Sequence, residues 1–282
     1  MINRLLTLLS AAALLPVLTG CFTGIESTPA ITDSDLRRQN IRVTPEETYL
    51  DDIEKAYLAA DNLTTGKRFW VTDPKIRLVL APSAASANIR TGDTLRLAGI
   101  SEATSVDGQQ LADIRLSDRN RAVFTYRTTF SPDDIRRAHR ADIPFTVDID
   151  LVESVRKKMA GNTYYITTAT RYDMNDQIFN SRRFVPVTVD AVDPGTAYYP
   201  IRLTLTDDRG KQFRLYMSAG STMTMPRKFS SMFSLTDPHA KYPAITDANW
   251  ALIIDGRVAQ GMTRDECRLA LGTPANIDRQ TG

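Results

Sequence analysis

Hydrophobic and polar residues alternate with a period of two along several short segments, which are separated by Pro, Gly, Asp and Ser. In the first half of the chain, Leu95 and Leu97, and again Phe124 and Tyr126, alternate with polar neighbours. Such alternation is typical of antiparallel strands with one buried face. The pattern predicts strands at residues 69–72, 76–80, 94–98, 112–116 and 122–128.

Other segments repeat hydrophobic residues at helical spacing. In the first, Thr44, Pro45 and Glu47 have the order of a helix N-terminus with a capping box. A second helix is predicted at residues 131–139. A third is predicted at residues 148–159, where acidic residues come early and basic residues late, as the helix dipole favours. The apolar stripe of the first helix is predicted to consist of Leu50, Ile53, Ala56 and Tyr57.

The strand pattern occurs twice along the chain. Residues 66–72 and 161–167 both begin with Gly, continue with two aromatic residues and end with Thr. Downstream of a long predicted loop, residues 113–118 are echoed by residues 200–207, each followed by a polar turn and an alternating strand. Matching order predicts a tandem duplication of one β-rich module about the size of a small five-stranded barrel. The alternative is that two unrelated β-meanders share a composition.

The predicted fold class is mainly β (α+β). It comprises two tandem small β-barrel or meander modules, each preceded by a helix, and a short C-terminal helical segment. The first β-rich module is assigned to residues 46–130, the second with its helices to 131–222, and the helical segment to 223–282. In that last segment, Asp247 is predicted to cap a short helix that turns Trp250 inward.

The N-terminus has the pattern of a secretory signal. A basic start, Met1–Arg4, precedes an apolar run at residues 5–18. The run ends in the sequence Leu18, Thr19, Gly20 and Cys21. The run is shorter than the ~20 residues that a membrane-spanning helix needs. Its ending resembles a bacterial lipobox, which implies cleavage before Cys21 and diacylglycerol on the Cys21 sulfur. The alternative is an ordinary signal peptide with an incidental cysteine. Residues 1–20 are therefore predicted to be a lipoprotein signal peptide.

A tether is predicted at residues 21–45, which mix Gly, Ser, Thr, Pro and charge without a period. The residues directly after Cys21 lack the acidic cluster found in surface-exported lipoproteins of some Gram-negative groups. We therefore expect a membrane-anchored lipoprotein of the outer membrane that faces the periplasm.

Composition excludes several classes of function. The chain has 35 basic and 33 acidic side chains with no basic block, so we expect no nucleic-acid partner. It has two cysteines, and acylation of Cys21 would leave Cys267 without an intrachain disulfide partner. Two histidines are a poor supply of metal ligands, and neither a phosphate-binding glycine loop nor zinc spacing occurs. We expect no cofactor and no metal.

Candidate residues for nucleophilic catalysis are few. His239 lies near Ser230, Ser231 and Ser234, but no Gly-x-Ser-x-Gly motif surrounds these serines. His139 ends a charged helix, where a histidine interacts favourably with the dipole. The expectation is therefore that the protein is not an enzyme.

Several tyrosines invite two interpretations. They either line a groove for a glycan or peptide, or pack within the sheets, and β-propensity favours packing. These tyrosines are Tyr164, Tyr165, Tyr198, Tyr199 and Tyr216.

The most specific motif lies near the C-terminus. Thr263 and Glu266 are predicted to form a capping box, and Met262 to contact Cys267, interpreted as a small buried residue, across the first turn. Leu271 is predicted to close the apolar stripe. The remaining positions of the motif are Gly261 before the helix, Gly272 as its C-cap and Pro274 as its stop.

This helix resembles the Gly-Met-Thr…Leu-Gly-x-Pro helix of the outer-membrane assembly lipoprotein BamE family (SmpA/OmlA). In that family a strand-rich half follows the helix, whereas only residues 275–282 follow here. The resemblance therefore implies a module that is either cut short or completed by other strands. The rest of the chain resembles uncharacterised envelope lipoproteins of Bacteroidota.

These observations predict a lipid-anchored cell-envelope protein that acts as a non-catalytic interaction scaffold. Its expected partners are the membrane, through the lipid anchor, and an envelope protein. One alternative is a module that binds peptidoglycan or another glycan. A third, an envelope hydrolase, lacks a supporting motif.

Overall fold

The computed structural model describes residues 43–59, 63–81, 88–219 and 227–272. The predicted signal peptide, the lipobox with Cys21, most of the tether, and Pro274 lie outside the described residues.

The described chain contains α-helices and two long runs of consecutive strands. The α-helices are α1 (Asp51–Ala59), α2 (Pro132–Ala138), α3 (Ile149–Met159), α4 (Phe229–Met232), α5 (Pro238–Lys241), α6 (Asp247–Ile254) and α7 (Arg264–Leu271). The strands before α3 are β1 (Arg68–Val71), β2 (Leu80–Ala81), β3 (Thr94–Thr104), β4 (Gln110–Ser117), β5 (Val123–Arg127) and β6 (Thr146–Asp148). The later strands are β7 (Thr163–Ile166), β8 (Thr170–Tyr172), β9 (Ile178–Asn180), β10 (Val185–Pro194), β11 (Ile201–Asp207), β12 (Gln212–Met217) and β13 (Phe233–Ser234).

The strands form two antiparallel sheets with the same core order. The six-stranded sheet has the order β2-β5-β4-β3-β1-β6, and the seven-stranded sheet has the order β13-β7-β10-β11-β12-β8-β9. Thus β1-β3-β4-β5-β2 in the first module corresponds to β7-β10-β11-β12-β8 in the second. A short strand that follows a helix, β6 or β13, pairs beside β1 or β7. The predicted mainly β (α+β) fold with two like modules is confirmed, although the described pairings leave both sheets open.

Matching backbone contacts relate the two modules residue by residue. The N–H of Gly66 donates to the carbonyl of Leu97 over 2.7 Å, and that of Gly161 donates to Val189 over 2.8 Å. Both glycines have positive φ, +94° and +80°, which explains why glycine opens each module. The register also shifts just after both acceptors, between Leu97 and Gly99 and at the same point of β10. The sequence match at this glycine therefore reflects one backbone geometry.

The hairpin turns of the two modules are equivalent as well. Asp118 Oδ1 accepts the N–H of Asn120 and Ala122, both over 2.8 Å. Asp207 Oδ1 accepts the N–H of Arg209 over 3.0 Å and that of Lys211 over 2.9 Å in the same way. This side-chain cap, in which Asp takes over backbone donors, fixes the register of both hairpins.

One detail of the predicted repeat is wrong. The Ile-Arg-Leu letters shared by segments 113–118 and 200–207 match Ile114 with Ile201. The strand pairing instead makes Ile114 equivalent to Leu203. This follows because Leu97 pairs with Leu116, whereas its counterpart in β10 pairs with Leu205. The shift preserves the buried face because side chains in a strand alternate with a period of two.

One strand prediction and one loop prediction are also wrong. Most of segment 76–80 is not a strand, since Pro74–Leu78 forms a 3-10 helix. Asp73 caps its start by accepting the N–H of Lys75, and Pro74 supplies a helical φ. In the second module the predicted long loop contains β8, β9 and β10, and β10 lies within the sheet between β7 and β11.

The first helix begins later than predicted. The hydrogen bonds between Thr44 and Glu47 form, at 2.7 and 3.4 Å, but the next residues make turns and α1 starts at Asp51. Its buried face includes Glu54, whereas Ala56 is exposed. In α6 the cap is Thr246, whose side chain accepts the N–H of Asn249, instead of the predicted Asp247.

The hydrophobic core of the second module also takes in α1. Leu50 and Ile53 belong to the same buried cluster as Val152 and Val155 of α3 and the inner face of the seven-stranded sheet. The first module has a separate core, covered in part by Ile135 of α2. The helix that precedes the first module in sequence therefore packs in the core of the second.

Candidate functional site

A cleft of about 390 Å³ lies where the two modules meet. Its walls come from α1, the segment between α2 and α3, and the link between β10 and β11. Among its ionisable side chains are Glu54, Tyr57, Arg140, Asp142 and Asp148. A concave site with buried ionisable groups is the usual first candidate for a functional site.

Two buried charged side chains and one half-buried tyrosine meet beside this cleft. Lys67 Nζ lies 2.7 Å from Asp148 Oδ2, and the two side chains are only 3% and 7% exposed. The Tyr57 hydroxyl donates to the same carboxylate oxygen over 2.8 Å. The other oxygen, Asp148 Oδ1, accepts the N–H of Asp150 over 2.9 Å and so caps α3. We call Tyr57, Lys67 and Asp148 the junction triad.

The charges of the junction triad are largely compensated within it, and Asp150 lies 3.8 Å from Lys67 as a further carboxylate. Burial, followed by the nearby Asp148 carboxylate, raises the pKa of Tyr57 well above its usual range, so the phenol stays a proton donor. The ammonium of Lys67 also lies 5.3 Å from the centre of the Tyr57 ring. Because each group satisfies another, the arrangement serves to hold α1, β1 and α3 together. Sequence reasoning missed it because isolated charged residues read as a solvated surface.

A second polar cluster attaches the segment before α1 to the second module. Glu46 Oε1 accepts the Ser234 hydroxyl over 3.2 Å and the Leu235 N–H over 3.1 Å, and lies 3.0 Å from Lys241 Nζ. Nearby, the Tyr49 and Tyr164 hydroxyl oxygens lie 2.7 Å apart. The segment between the predicted tether and α1 is thus bound to the second module by several hydrogen bonds.

The candidate catalytic residues do not converge. His239 Nδ1 lies 2.7 Å from Asp237 Oδ1, and its ring packs 4.3 Å from that of Trp250. Ser234 is buried and hydrogen-bonded to Lys241 and Glu46, while the Ser231 hydroxyl donates to a backbone carbonyl. In the described ranges, neither Ser230 nor the other two serines contact His239 by a hydrogen bond. His139 is exposed and forms the left-handed C-cap of α2.

The five candidate tyrosines separate into different environments. Tyr164 is buried among Tyr49, Phe229 and Phe233, which confirms packing at that position. Tyr198 is exposed, and Tyr165 is half-buried on β7.

Tyr199 and Tyr216 instead lie on an aromatic and basic surface. The Arg227 guanidinium lies 4.8 Å from the ring centre of Tyr199 and 5.2 Å from that of Tyr172. Tyr172 in turn packs edge-on against Tyr216 at 5.1 Å. Sequence reasoning missed Tyr172 and Arg227, since neither follows a recognisable motif.

The C-terminal helix forms with its predicted caps. Glu266 Oε2 accepts the Thr263 N–H over 2.6 Å, Thr263 Oγ1 accepts the Glu266 N–H over 3.2 Å, and Gly272 is the C-cap with φ +89°. Asn249 of α6 donates to Glu266 Oε1 over 2.7 Å, which docks α7 against α6.

The buried face of this helix differs from the predicted stripe. Leu271 is 64% exposed, so the prediction that it closes the stripe is wrong, and the buried apolar residue of the described helix is Ala270. Ala270 packs with Phe184, Trp250 and Ile253. Gly261 is exposed, while Met262 and Cys267 are half-buried, with the Cys267 thiol free.

Two further properties hold for residues 43–59, 63–81, 88–219 and 227–272. They contain no group of three or more His, Cys, Asp or Glu side chains that could hold a metal ion. None of their helices is both long and apolar enough to cross a membrane. Comparison of the chain with protein-family models, curated proteins and solved structures finds no match.

Proposed function

We propose that this chain is a lipid-anchored cell-envelope protein that serves as a non-catalytic interaction scaffold. The observation that carries the proposal is the placement of α1, which follows the predicted tether and packs in the core of the second module. Two β modules held as one body can present their outer faces in a fixed arrangement to an envelope protein.

The chemistry of the buried groups supports this proposal. A catalytic site needs a nucleophile or base that is free to act on a substrate. In the junction triad, Lys67 is paired with Asp148 and the Tyr57 hydroxyl donates to the same carboxylate. The cluster around Glu46 is satisfied in the same way. These groups contribute to holding the body together.

The anchor is tested separately from the scaffold. Metabolic labelling with an alkyne fatty acid should mark the wild-type chain and leave Cys21→Ser unlabelled, because two or three acyl chains give stable anchoring. Equal labelling of both proteins would refute the anchor at Cys21.

The scaffold is tested by affinity capture of the full chain from detergent-solubilised envelopes after chemical cross-linking. We expect the same envelope proteins in replicate captures and their absence from captures with an unrelated lipoprotein. If wild type captures nothing beyond that control, the scaffold proposal is wrong.

A second candidate function is glycan binding, as in a peptidoglycan-binding module. It is favoured by the surface of Tyr172, Tyr199, Tyr216 and Arg227, because aromatic faces with polar tips suit wet recognition. Retention of the full chain on purified peptidoglycan tests it. We expect Tyr199→Ala to lower retention, whereas the control Tyr242→Ala, which packs near Trp250, should not. Equal retention of both variants and wild type would contradict this candidate.

A further inference from the structure

A cavity of about 720 Å³ lies on the second module, between the β11–β12 turn, the segment after β9, and the helices α6 and α7. We call it the basic pocket. Its charged lining is unbalanced, with five basic side chains against two acidic ones. The basic residues are Arg182, Arg183, Arg209, Lys211 and Arg257.

The nearby carboxylates are already engaged. Asp255 lies 3.9 Å from the guanidinium of Arg182, which also contacts Asp208 over 2.8 Å. Asp207 pairs with the buried Arg171 at 3.5 Å and caps its own hairpin turn. The acidic side chains therefore neutralise Arg182 and Arg171 and leave the other cations of the basic pocket uncompensated.

Arg183 shows this shortage of negative charge. Within the described residues, its guanidinium has no carboxylate within 4.0 Å, although partial burial lowers its pKa. A Cβ atom built at Gly272, the C-cap of α7, would lie 3.7 Å from Arg183 Nη1, so the Arg183 guanidinium lies close to the C-terminus of this helix. A helix C-terminus carries only a partial negative charge. Half-buried charges in proteins are normally paired, and here the partner is missing from the described chain.

The first module shows that the fold does not require two of these cations, Arg209 and Lys211. Its equivalent turn has Asn120 and Ala122 where the second module has Arg209 and Lys211, with the same hydrogen bonds to an aspartate. The basic residues were therefore not needed to form the hairpin.

Arg171 differs from its counterpart in a similar way. Strand pairing places Tyr172 opposite Arg214 and Ala81 opposite Thr125, so Arg171 occupies the core position that Leu80 has in the first module. Its side chain is fully buried, and burial lowers its pKa to about 10. It donates to the carbonyl of Arg182 and pairs with Asp207, both of which line the basic pocket. A costly buried charge thus positions the wall of this pocket.

We infer that the basic pocket binds a phosphate-bearing ligand, either a free phosphorylated small molecule or the headgroup of an anionic phospholipid. Arginine presents planar, forked donors that match phosphate oxygens, and several such donors converge here. The volume is in the range of small-molecule sites, roughly 300–1,000 Å³. The exposed Leu271 provides an apolar wall for the part of the ligand beyond the phosphate.

Isothermal titration of the purified full chain in detergent tests this inference with three soluble probes: inorganic pyrophosphate, dihexanoyl phosphatidic acid and dihexanoyl phosphatidylcholine. We expect binding of phosphatidic acid that weakens with added salt. Additional binding of pyrophosphate would identify phosphate alone as sufficient, and its absence would identify a lipid headgroup. No binding of either anionic probe, or equal binding of phosphatidylcholine, would overturn the inference.

Variants copied from the first module locate the binding. Arg209→Asn with Lys211→Ala should raise the Kd about tenfold or more, because each lost charged hydrogen bond is worth roughly that factor. The control Arg96→Ala with Arg119→Asn removes the same charge from the exposed surface of the first module and should leave the Kd within about twofold. Equal loss in the control would show that net charge alone matters, and would refute the pocket.

Arg171→Leu provides a second, independent variant. It copies Leu80 of the first module and is made together with Asp207→Asn, which keeps an oxygen for the hairpin cap, because Arg171→Leu alone would leave a buried carboxylate unpaired. The urea midpoint of this double variant should change little while phosphatidic acid binding weakens. Retained stability with unchanged binding would show that Arg171 does not position this site.

Discussion

Neutralising the carboxylate of the junction triad, as in Asp148→Asn, should destabilise the protein far more than so small a change of side-chain shape would. Asp148→Asn keeps the shape of the side chain and an oxygen for the α3 cap, but it leaves the buried Lys67 ammonium without its 2.7 Å partner. Breaking a buried ion pair by changing one member costs about 3–5 kcal/mol. Asp150 lies 3.8 Å from Lys67 and is half exposed, so it compensates in part. We therefore expect a loss of about 3 kcal/mol in the free energy of unfolding.

Urea unfolding followed by tryptophan fluorescence measures this change. Trp70 lies on β1 of the first module and Trp250 on α6, so Trp70→Phe and Trp250→Phe backgrounds report on different parts of the body. Both probes should show the same midpoint, because α1 joins the two modules. The matched control is Asp113→Asn, since its partner Arg127 is largely exposed and such pairs contribute about 0–1 kcal/mol.

A double variant separates the pair from the individual side chains. Lys67→Met with Asp148→Asn removes both charges, so no buried ion is left without its partner, which is the main cost in the single variant. The double variant should therefore be clearly more stable than Asp148→Asn alone. A loss below about 1 kcal/mol in the single variant, or no recovery in the double variant, would refute the reasoning about the junction triad.

Three further predictions concern single positions. Gly161→Ala should cost about 1–2 kcal/mol in urea unfolding, because φ is +80° and the new methyl group meets no neighbour, so backbone strain alone acts. Leu271→Ser should change stability by less than about 0.5 kcal/mol, whereas Ala270→Leu should cost about 1–3 kcal/mol by overpacking. A large loss in the first of these two variants would show that its side chain is covered. Burial raises the pKa of Glu46, but its hydrogen bonds, of which the one from Lys241 has the largest effect, outweigh burial. The pKa of Glu46 is therefore lowered from its ordinary value of 4.5. A lowered folded pKa stabilises above the unfolded pKa, so the stability gap between wild type and Glu46→Gln should narrow as pH falls below about 4.5; a constant gap would contradict this.

Local chemistry made part of the fold predictable. Gly66 and Gly161 mark the start of each module because both positions need a positive φ, and that requirement acts within a few residues. The capping box at Thr263 and Glu266 is encoded in the same short range. For the same reason the prediction of a strand at 76–80 could have been avoided, since Asp73 and Pro74 form a helix start.

Strand β10 was harder to predict from the sequence. Val185, Val187 and Val189 alternate as a buried strand should, but Pro186 and Pro194 within the same segment weaken that signal, because proline cannot donate to a sheet ladder. Pro186 is compatible with the strand because it lies at the start of β10, before the pairing with β11 begins at Val187, where a residue without an N–H is tolerated.

The sequence by itself determined two like β modules, their glycine starts and the caps of the last helix, because each depends on neighbours along the chain. Only the tertiary structure decided that α1 packs in the core of the second module, that Lys67 and Asp148 meet at the junction, and that Arg171 takes an aliphatic core position. An apolar stripe specifies how much surface must be buried and does not specify against what. Likewise, the sequence does not distinguish a charged residue on the surface from one that is paired in the core, because the partner is brought close only by the fold.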